Sequence, residues 1–510
     1  MKLISQKSGL TFLFFLLQFL VVAQDLPRST PEAEGVSSKA ISNWIKSYSN
    51  GKHELHSVMV LRHGKVIAEG WAKPYAADVK HTMYSVSKSW TSTAIGFLVD
   101  AGKLRVEDKV ISFFPENKDI TSNQYLHDLR VKDLLMMAAG HTVEPLRNVV
   151  ATSDNWVRGF LSAQIDHQPG SKFLYNTLAT YMLSAIVQKV SGQKTIDFLE
   201  TKLLQPLHIK NIDWETDPKG INVGGWGIRV KTEDMAKFGQ LYLQKGKWNG
   251  KQILSEKWVT EATSKQIEQD PTARQSKKDS SDWLQGYGYQ FWRCRNGAFR
   301  ADGAFGQYIV MFPEKDAVVV ITSESQDLPD DLNNIWQHLL PAFSTNKLPS
   351  NLEELTALKK QLAEMELTSP ETASNPHIGD FNQQAIKLQD NAFGFKSIQI
   401  KENGNRLQLN LQDTEGSYTI PLNEGTFALS ETNLKGPYLL RQAKSALTGI
   451  APFKVAGSYY WNTDGSLGIT LRYFESPHHW DWKLSKSSAG YVLNVSNSYD
   501  INGSMEIKGQ

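Results

Sequence analysis

The chain has a single cysteine, Cys294, among 510 residues, so no internal disulfide can staple its fold. It also lacks an excess of either charge. Its 55 Lys and Arg stand against 53 Asp and Glu, a formal net charge of +2. Without a long basic run or a nucleic-acid motif, the electrostatic footprint of a DNA or RNA binder is missing. Only residues 10–23 form an apolar run approaching a membrane segment, and that run is short for a span. Metal-ligand spacing is missing as well. His478 and His479 adjoin Trp480 with no third ligand in register, and they read as a surface or partly buried pair. No metal and no organic cofactor is expected.

What is present begins with an export signature. Lys2 and Lys7 precede the apolar run, and Val21 and Ala23 occupy small-residue positions before Gln24. That pattern predicts a signal peptide over 1–23, removed from a periplasmic or secreted protein with no transmembrane span in its mature chain. An uncleaved anchor is the alternative. The remaining composition is globular, with 40% hydrophobic and 21% charged residues. A chain this long should hold two or three domains. No sequence signal bears on its oligomeric state.

Residues 56–62 and 65–70 read as strands joined at His63-Gly64. Residues 85–101 read as an amphipathic helix, with Trp90, Ala94, Phe97, Leu98 and Ala101 at helical spacing and Gly102 after it. A mostly helical middle follows, including 178–190 closed by Gly192. Strands return at 289–295 and 298–301 around Asn296-Gly297, then at 307–312 and 317–322, before a helix over 330–343. Strands at both ends bracketing a helical insertion predict an α+β domain over 24–345, one antiparallel sheet with a helical subdomain. Residues 346–376 read as a charged helix and a linker rich in Ser, Thr, Pro and Asn. Beyond it, Leu407, Leu409 and Leu411 alternate with polar residues, and residues 377–510 are expected to form an all-β barrel or sandwich. Residues 24–367 are expected to fold without it. Cys294 is expected to be packed, and Tyr459, Tyr460, Trp461, Trp480 and Trp482 to serve core packing ahead of sugar stacking.

Ser85-Val86-Ser87-Lys88 is a Ser-x-x-Lys tetrad, as are Ser49/Lys52, Ser191/Lys194 and Ser344/Lys347. Ser85 differs by context, since Met83 and Tyr84 precede it and a long helix follows. At spacing three the two side chains share a helix face, close enough to hydrogen-bond. The positive end of the helix favours a developing alkoxide at Ser85 and disfavours protonation of Lys88, as burial also would. By spacing alone, a capping serine followed by a solvated lysine is the simpler account.

The segment Tyr84-Ser85-Val86-Ser87-Lys88-Ser89 resembles the active-site segment of the β-lactamase-related serine hydrolases. These include class C β-lactamases, D,D-peptidases, family VIII esterases and nylon-oligomer hydrolases. The resemblance continues in order through Leu134-Leu135-Met136-Met137-Ala138-Ala139-Gly140, Tyr175-Asn176-Thr177, Gly224-Gly225-Trp226-Gly227 and Gly303-Ala304-Phe305-Gly306-Gln307. It implies a β-lactamase/D,D-peptidase-like fold and places Tyr175 beside the nucleophile as a proton shuttle. It further implies an oxyanion hole from the Ser85 and Ala304 amides, with Gly303, Asn176 and Thr177 lining the substrate site. Two positions depart from the family. Thr177 stands where many members have asparagine, and Ala301-Asp302-Gly303 replaces a motif that usually opens on lysine or histidine. Arg300 lies close enough in sequence to be an alternative cation.

Together with the export signature, the resemblance leads to an expected exported enzyme, and it implies cleavage of a small-molecule ester, amide or peptide through a Ser85 acyl-enzyme, with Lys88 and Tyr175 handling protons. Two alternatives remain open: a β-lactamase or D,D-peptidase, and a catalytically silent binding protein on the same fold.

Overall fold

The computed structural model describes residues 26–510, apart from 122, 370, 374–380, 382–383, 405, 441–442 and 444–449. The expected signal peptide and part of the expected linker lie outside the described residues.

The first unit is built on a six-stranded antiparallel sheet. Its strand order is Lys65–Trp71, His53–Arg62, Ala317–Ser325, Gln307–Phe312, Phe299–Gly303 and Trp292–Arg293. The chain therefore begins and ends this unit in the middle of one sheet, where His53–Arg62 pairs with Ala317–Ser325. Both faces are covered, so its central strands are buried at nearly every position. Alternation still decides which side each residue serves. Met59, Leu61, Ile309, Met311, Val318 and Val320 face the helical subdomain, while Val58, Val60, Val310, Val319 and Ile321 face the other layer. On the subdomain side helix Thr232–Leu243 lies directly on the sheet. A Cβ on its Gly239 would stand 2.7 Å from Ile309 and Val318 side-chain carbons, so glycine permits the close approach. Helix Leu352–Ala363 covers the opposite face, where Leu358 and Leu362 join the same core as Val58 and Val60.

The tetrad helix departs from its expected character. A 3₁₀ turn, Tyr84–Val86, leads into helix Ser87–Asp100, which is buried on every side from Ser87 to Leu98 and is not amphipathic in use. Its polar residues are satisfied by surrounding loops. Ser89 Oγ donates to the Gln290 carbonyl and Ser92 Oγ to the Tyr289 carbonyl, both at 2.7 Å, and Thr91 Oγ1 donates to the Gly224 carbonyl at 2.9 Å. The segment expected as one helix over 330–343 is divided among α, π and 3₁₀ turns.

The C-terminal unit is a nearly closed barrel running from Ala385–Lys387 to Asp500–Gly509. Lys387 N–H donates to the Gln510 carbonyl (2.8 Å) and Gln510 N–H to the Lys387 carbonyl (2.9 Å), joining the first strand to the last. Closure pairs the edges that an open sheet would leave exposed. Leu407, Leu409 and Leu411 point inward with Tyr459, Trp461, Trp480 and Trp482, which fill the core as expected.

The two units meet along a polar seam. Tyr75 Oη donates to the Ser476 carbonyl (2.9 Å), Thr82 N–H donates to the Glu475 carbonyl (2.9 Å), and Arg229 pairs with Glu475 (3.2 Å). Removing the barrel would take these partners from Tyr75 Oη and the Thr82 N–H, while Arg229 would keep Asp213, which bears directly on whether 24–367 folds alone. His478 corrects the sequence expectation. It is no surface pair with its neighbour but lies fully buried at this seam, while His479 is the partly exposed one.

Candidate active site

Ser85 sits in the 3₁₀ turn at the mouth of the buried helix, half-exposed, between the helical subdomain and strand Phe299–Gly303. The residue before it, Tyr84, has φ +47, a left-handed conformation unusual for a bulky side chain. Ser87 Oγ donates back to the Tyr84 carbonyl at 2.6 Å, tying the turn to the helix.

Lys88 is fully buried one turn later. Its Nζ donates to the Gly225 carbonyl at 2.7 Å and lies 5.1 Å from the Tyr175 ring centre. Burial pulls its pKa down to about 7, against the opposing pull of the Glu144 carboxylate. A large share of Lys88 is therefore neutral near pH 7. Burial holds the Tyr175 phenol well above its usual range, against the opposing pull of the nearby Ser85 hydroxyl, so it is a protonated group. The Tyr175 ring stacks on Trp292 (5.6 Å, 20°), with Tyr287 and Phe173 completing an aromatic wall.

The remaining expected site residues separate by role. Ala304 begins the turn after strand Phe299–Gly303, opposite the Ser85 turn. Gly303 is needed for a reason the sequence did not disclose. A Cβ there would lie 2.3 Å from the Met83 carbonyl oxygen, so glycine lets the strand close on the nucleophile's own turn. Asn176 is buried and committed to structure. Its Oδ1 accepts from Ala179 N–H at 3.0 Å as the N-cap of helix Thr177–Ser191, and Nδ2 faces His141 Nδ1 at 3.3 Å. Thr177 N–H donates to the Glu144 carboxylate, bringing that acid beside Lys88 and Tyr175. Sequence reasoning missed Glu144 and Gly225. Neither is close to the tetrad in the chain, and only Gly225 fell within a quoted motif.

Arg300, the alternative cation, is fully buried and spoken for. Its Nε donates to Asp302 at 2.8 Å and its Nη1 to the Asp282 carbonyl at 2.9 Å, with the guanidinium over Trp283 and Trp292. Cys294 accepts from Arg300 at 3.2 Å, and burial raises its thiol to about 11, an inert packed cysteine.

Comparison with known proteins identifies the family. The Beta-lactamase family model matches residues 49–342. The 6-aminohexanoate-dimer hydrolase of Paenarthrobacter ureafaciens is 26% identical over 295 residues, covering 53% of this chain and 73% of that protein. A Salmonella typhimurium protein provisionally named D-alanyl-D-alanine carboxypeptidase is 23% identical over 236 residues, 41% of this chain and 55% of the relative. The chain thus spans about half the length of that carboxypeptidase relative. Among solved structures, a Bacillus anthracis protein provisionally named 6-aminohexanoate-dimer hydrolase superposes with a TM-score of 0.51 at 19% identity. That match covers 64% of this chain and 89% of the other, and it shows a shared fold. With its model spanning more than half of the 510 residues, the Beta-lactamase family is the one to which this chain belongs, as a serine hydrolase of the esterase and amidase type.

Proposed function

We propose that the protein is an exported hydrolase that opens an ester or amide bond through an acyl-enzyme on Ser85. The observation that carries the reading is the buried Lys88, one helical turn after Ser85, with its Nζ held by the Gly225 carbonyl 5.1 Å from the Tyr175 ring centre and its pKa lowered to about 7. Ser85 Oγ attacks the carbonyl carbon while its proton passes to neutral Lys88, directly or through the Tyr175 hydroxyl. The carbonyl oxygen becomes an oxyanion held by the Ser85 and Ala304 amides. Collapse breaks the bond to the leaving group, which takes the proton back through Tyr175. Water then attacks the acyl-enzyme with the same groups serving as base, releasing the acid and restoring Ser85. Side chains and water account for every proton.

The charges around Ser85 favour substrates without a carboxylate beside the reacting bond. Arg300 is already paired with Asp302, and Glu144 adds a second carboxylate on the Lys88 side. Arg300 would offer a substrate carboxylate no free charge, and the Glu144 carboxylate would repel it. Neutral esters and amides are therefore preferred over β-lactams and D-Ala-D-Ala ends.

Fluorophosphonate labelling followed by peptide mass mapping tests the nucleophile. The label should sit on Ser85, and Ser85→Ala should lose it while kcat falls by roughly 10³- to 10⁶-fold. Label on another serine, or near-native turnover by the variant, sinks the reading. Export rests on Lys2, Lys7 and the run over 10–23. N-terminal sequencing should find mature protein starting at or near Gln24, and intact Met1 on cytosolic protein would count against it.

A further inference from the structure

One buried side chain from the barrel reaches both turns that flank the site. His478 Nε2 accepts a hydrogen bond from Tyr84 Oη at 2.5 Å, and its Nδ1–H donates to Glu324 Oε1 at 2.6 Å. Glu324, at the end of strand Ala317–Ser325, also accepts from Ser498 Oγ at 2.6 Å. An acceptor on one side and a donor on the other select the Nδ1–H tautomer. The imidazole also stands edge-on to the Phe305 ring at 4.6 Å, and Phe305 touches the Tyr84 ring at 5.6 Å. Tyr84 immediately precedes Ser85, and Phe305 immediately follows Ala304.

Both contacted residues hold positive φ, Tyr84 at +47 and Phe305 at +64. Bulky residues stay in that region only when their surroundings over-determine them. His478 supplies part of that constraint at both positions through one rigid ring. Its own position is set by Glu324, Ser498 and the Tyr499 ring at 4.8 Å.

We propose that His478 is a positioning residue of the hydrolase, carried by the C-terminal barrel, which acts through Tyr84 and Phe305 to hold the Ser85 and Ala304 amides in register. The barrel is on this account part of the catalytic apparatus. The inference rests on the Ser85 reading above. An amide displaced from the oxyanion loses transition-state binding while leaving substrate binding largely intact.

The test is steady-state kinetics of the full-length protein on a neutral p-nitrophenyl ester, comparing wild type, His478→Gln, His478→Phe, Tyr84→Phe and the double variant Tyr84→Phe/His478→Phe. We expect His478→Phe to lower kcat roughly 10- to 100-fold, the scale of a misaligned or lost oxyanion donor, with KM changed by less than about threefold. His478→Gln, which keeps an acceptor for Tyr84, should recover part of kcat. Tyr84→Phe should lose kcat similarly, and the double variant should be little worse than either single one, since both remove the same bond. Wild-type kcat in folded His478→Phe and Tyr84→Phe overturns the proposal, as do losses that multiply in the double variant. Should the His478 variants fail to fold, Tyr84→Phe, which deletes one oxygen, decides the question alone. Failure of the underlying reading is distinguishable, because Ser85→Ala would then keep its turnover.

Discussion

Lys88 Nζ lies 2.7 Å from the carbonyl oxygen of Gly225, a residue 137 positions away in sequence. The bond fixes a buried amine beside Tyr175 without pairing it to a carboxylate, and burial can then lower its pKa to about 7. A lysine in a salt bridge would keep its proton and serve only as a charge.

The pH dependence of kcat/KM follows from that value. With Lys88 as base in the free enzyme, kcat/KM on a neutral ester should rise tenfold per pH unit below about 7 and level above it. Lys88→Arg keeps the charge but stays protonated and should be nearly as inactive as Lys88→Ala. An unchanged pH profile with most activity retained in the arginine variant would make Lys88 an electrostatic partner only.

Gly225→Ala should damage the same centre from the other side. The added Cβ would stand 3.1 Å from Lys88 Nζ, 2.7 Å from Thr177 Cγ2 and 2.8 Å from the Thr177 carbonyl oxygen. Overpacking of this kind costs about 1–3 kcal/mol, and a displaced Lys88 should cut kcat as well. Urea unfolding and steady-state kinetics on one preparation measure both effects.

Stability should show a two-sided pH dependence set by the seam. Burial lowers the pKa of His56, His81 and His478 below 6.5, so these groups stay neutral when folded and gain protons when unfolded. Their contribution is present above the unfolded value and is lost as pH falls below about 6.5. His479 runs the other way, raised to about 9 by Asp481 and Glu324 against the cost of its burial. It stabilises fully below about 6.5 and loses that contribution as pH rises through about 9. Thermal melts should therefore gain stability from pH 5 to pH 7; above neutrality Lys88, held at about 7 when folded, adds stability as pH rises and opposes His479, so the difference between wild type and His479→Gln from pH 7 to pH 10 isolates the falling His479 contribution.

The Arg472–Glu54 pair ties barrel to sheet, with Nη2 donating to Oε2 at 3.0 Å and Nη1 to the other oxygen at 2.5 Å. Arg472 is buried, while the Glu54 side chain keeps 31% exposure, which screens part of the interaction. Arg472→Met should cost about 2–3 kcal/mol, below the full penalty of a buried broken pair. A change under roughly 0.5 kcal/mol in urea titration would mean that solvent already screens the contact.

Substrate charge can be read directly. A cephalosporin should be turned over with kcat/KM below roughly 10⁴ M⁻¹s⁻¹, the lower end of ordinary enzyme efficiency, and more slowly than a neutral ester. Arg300→Ala should leave this selectivity unchanged, because Arg300 is fully buried against Asp302. It should instead destabilise the strand that leads into Ala304. Efficient cephalosporin turnover lost in Arg300→Ala would reverse that assignment.

Much of this was legible in the chain itself. Runs flanking turn residues marked strands over 56–62, 307–312 and 317–322, which form as His53–Arg62, Gln307–Phe312 and Ala317–Ser325, and Gly192 and Gly102 stopped helices where φ turns positive, at +74 and +66. The order of short motifs marked Ser85, Lys88 and Tyr175 as one group, and the structure brings them together. These features follow from local rules, since side-chain period and turn conformation depend on residues a few positions apart.

Other features were decided only by tertiary packing. The helix after Ser85 reads as amphipathic but is buried on all sides, because loops around Gly224 and Gln290 accept hydrogen bonds from its polar face. Gly303 reads as room for substrate but accommodates the Met83 carbonyl. His478 reads as half of a surface or partly buried pair but is fully buried, and its partner Tyr84 is 394 positions away. A buried polar group must find a partner, but periodicity cannot say which one. Closure of the barrel against the hydrolase sheet sets that choice, because it excludes water from the seam and leaves Tyr84 and Glu324 as the groups within reach of the imidazole.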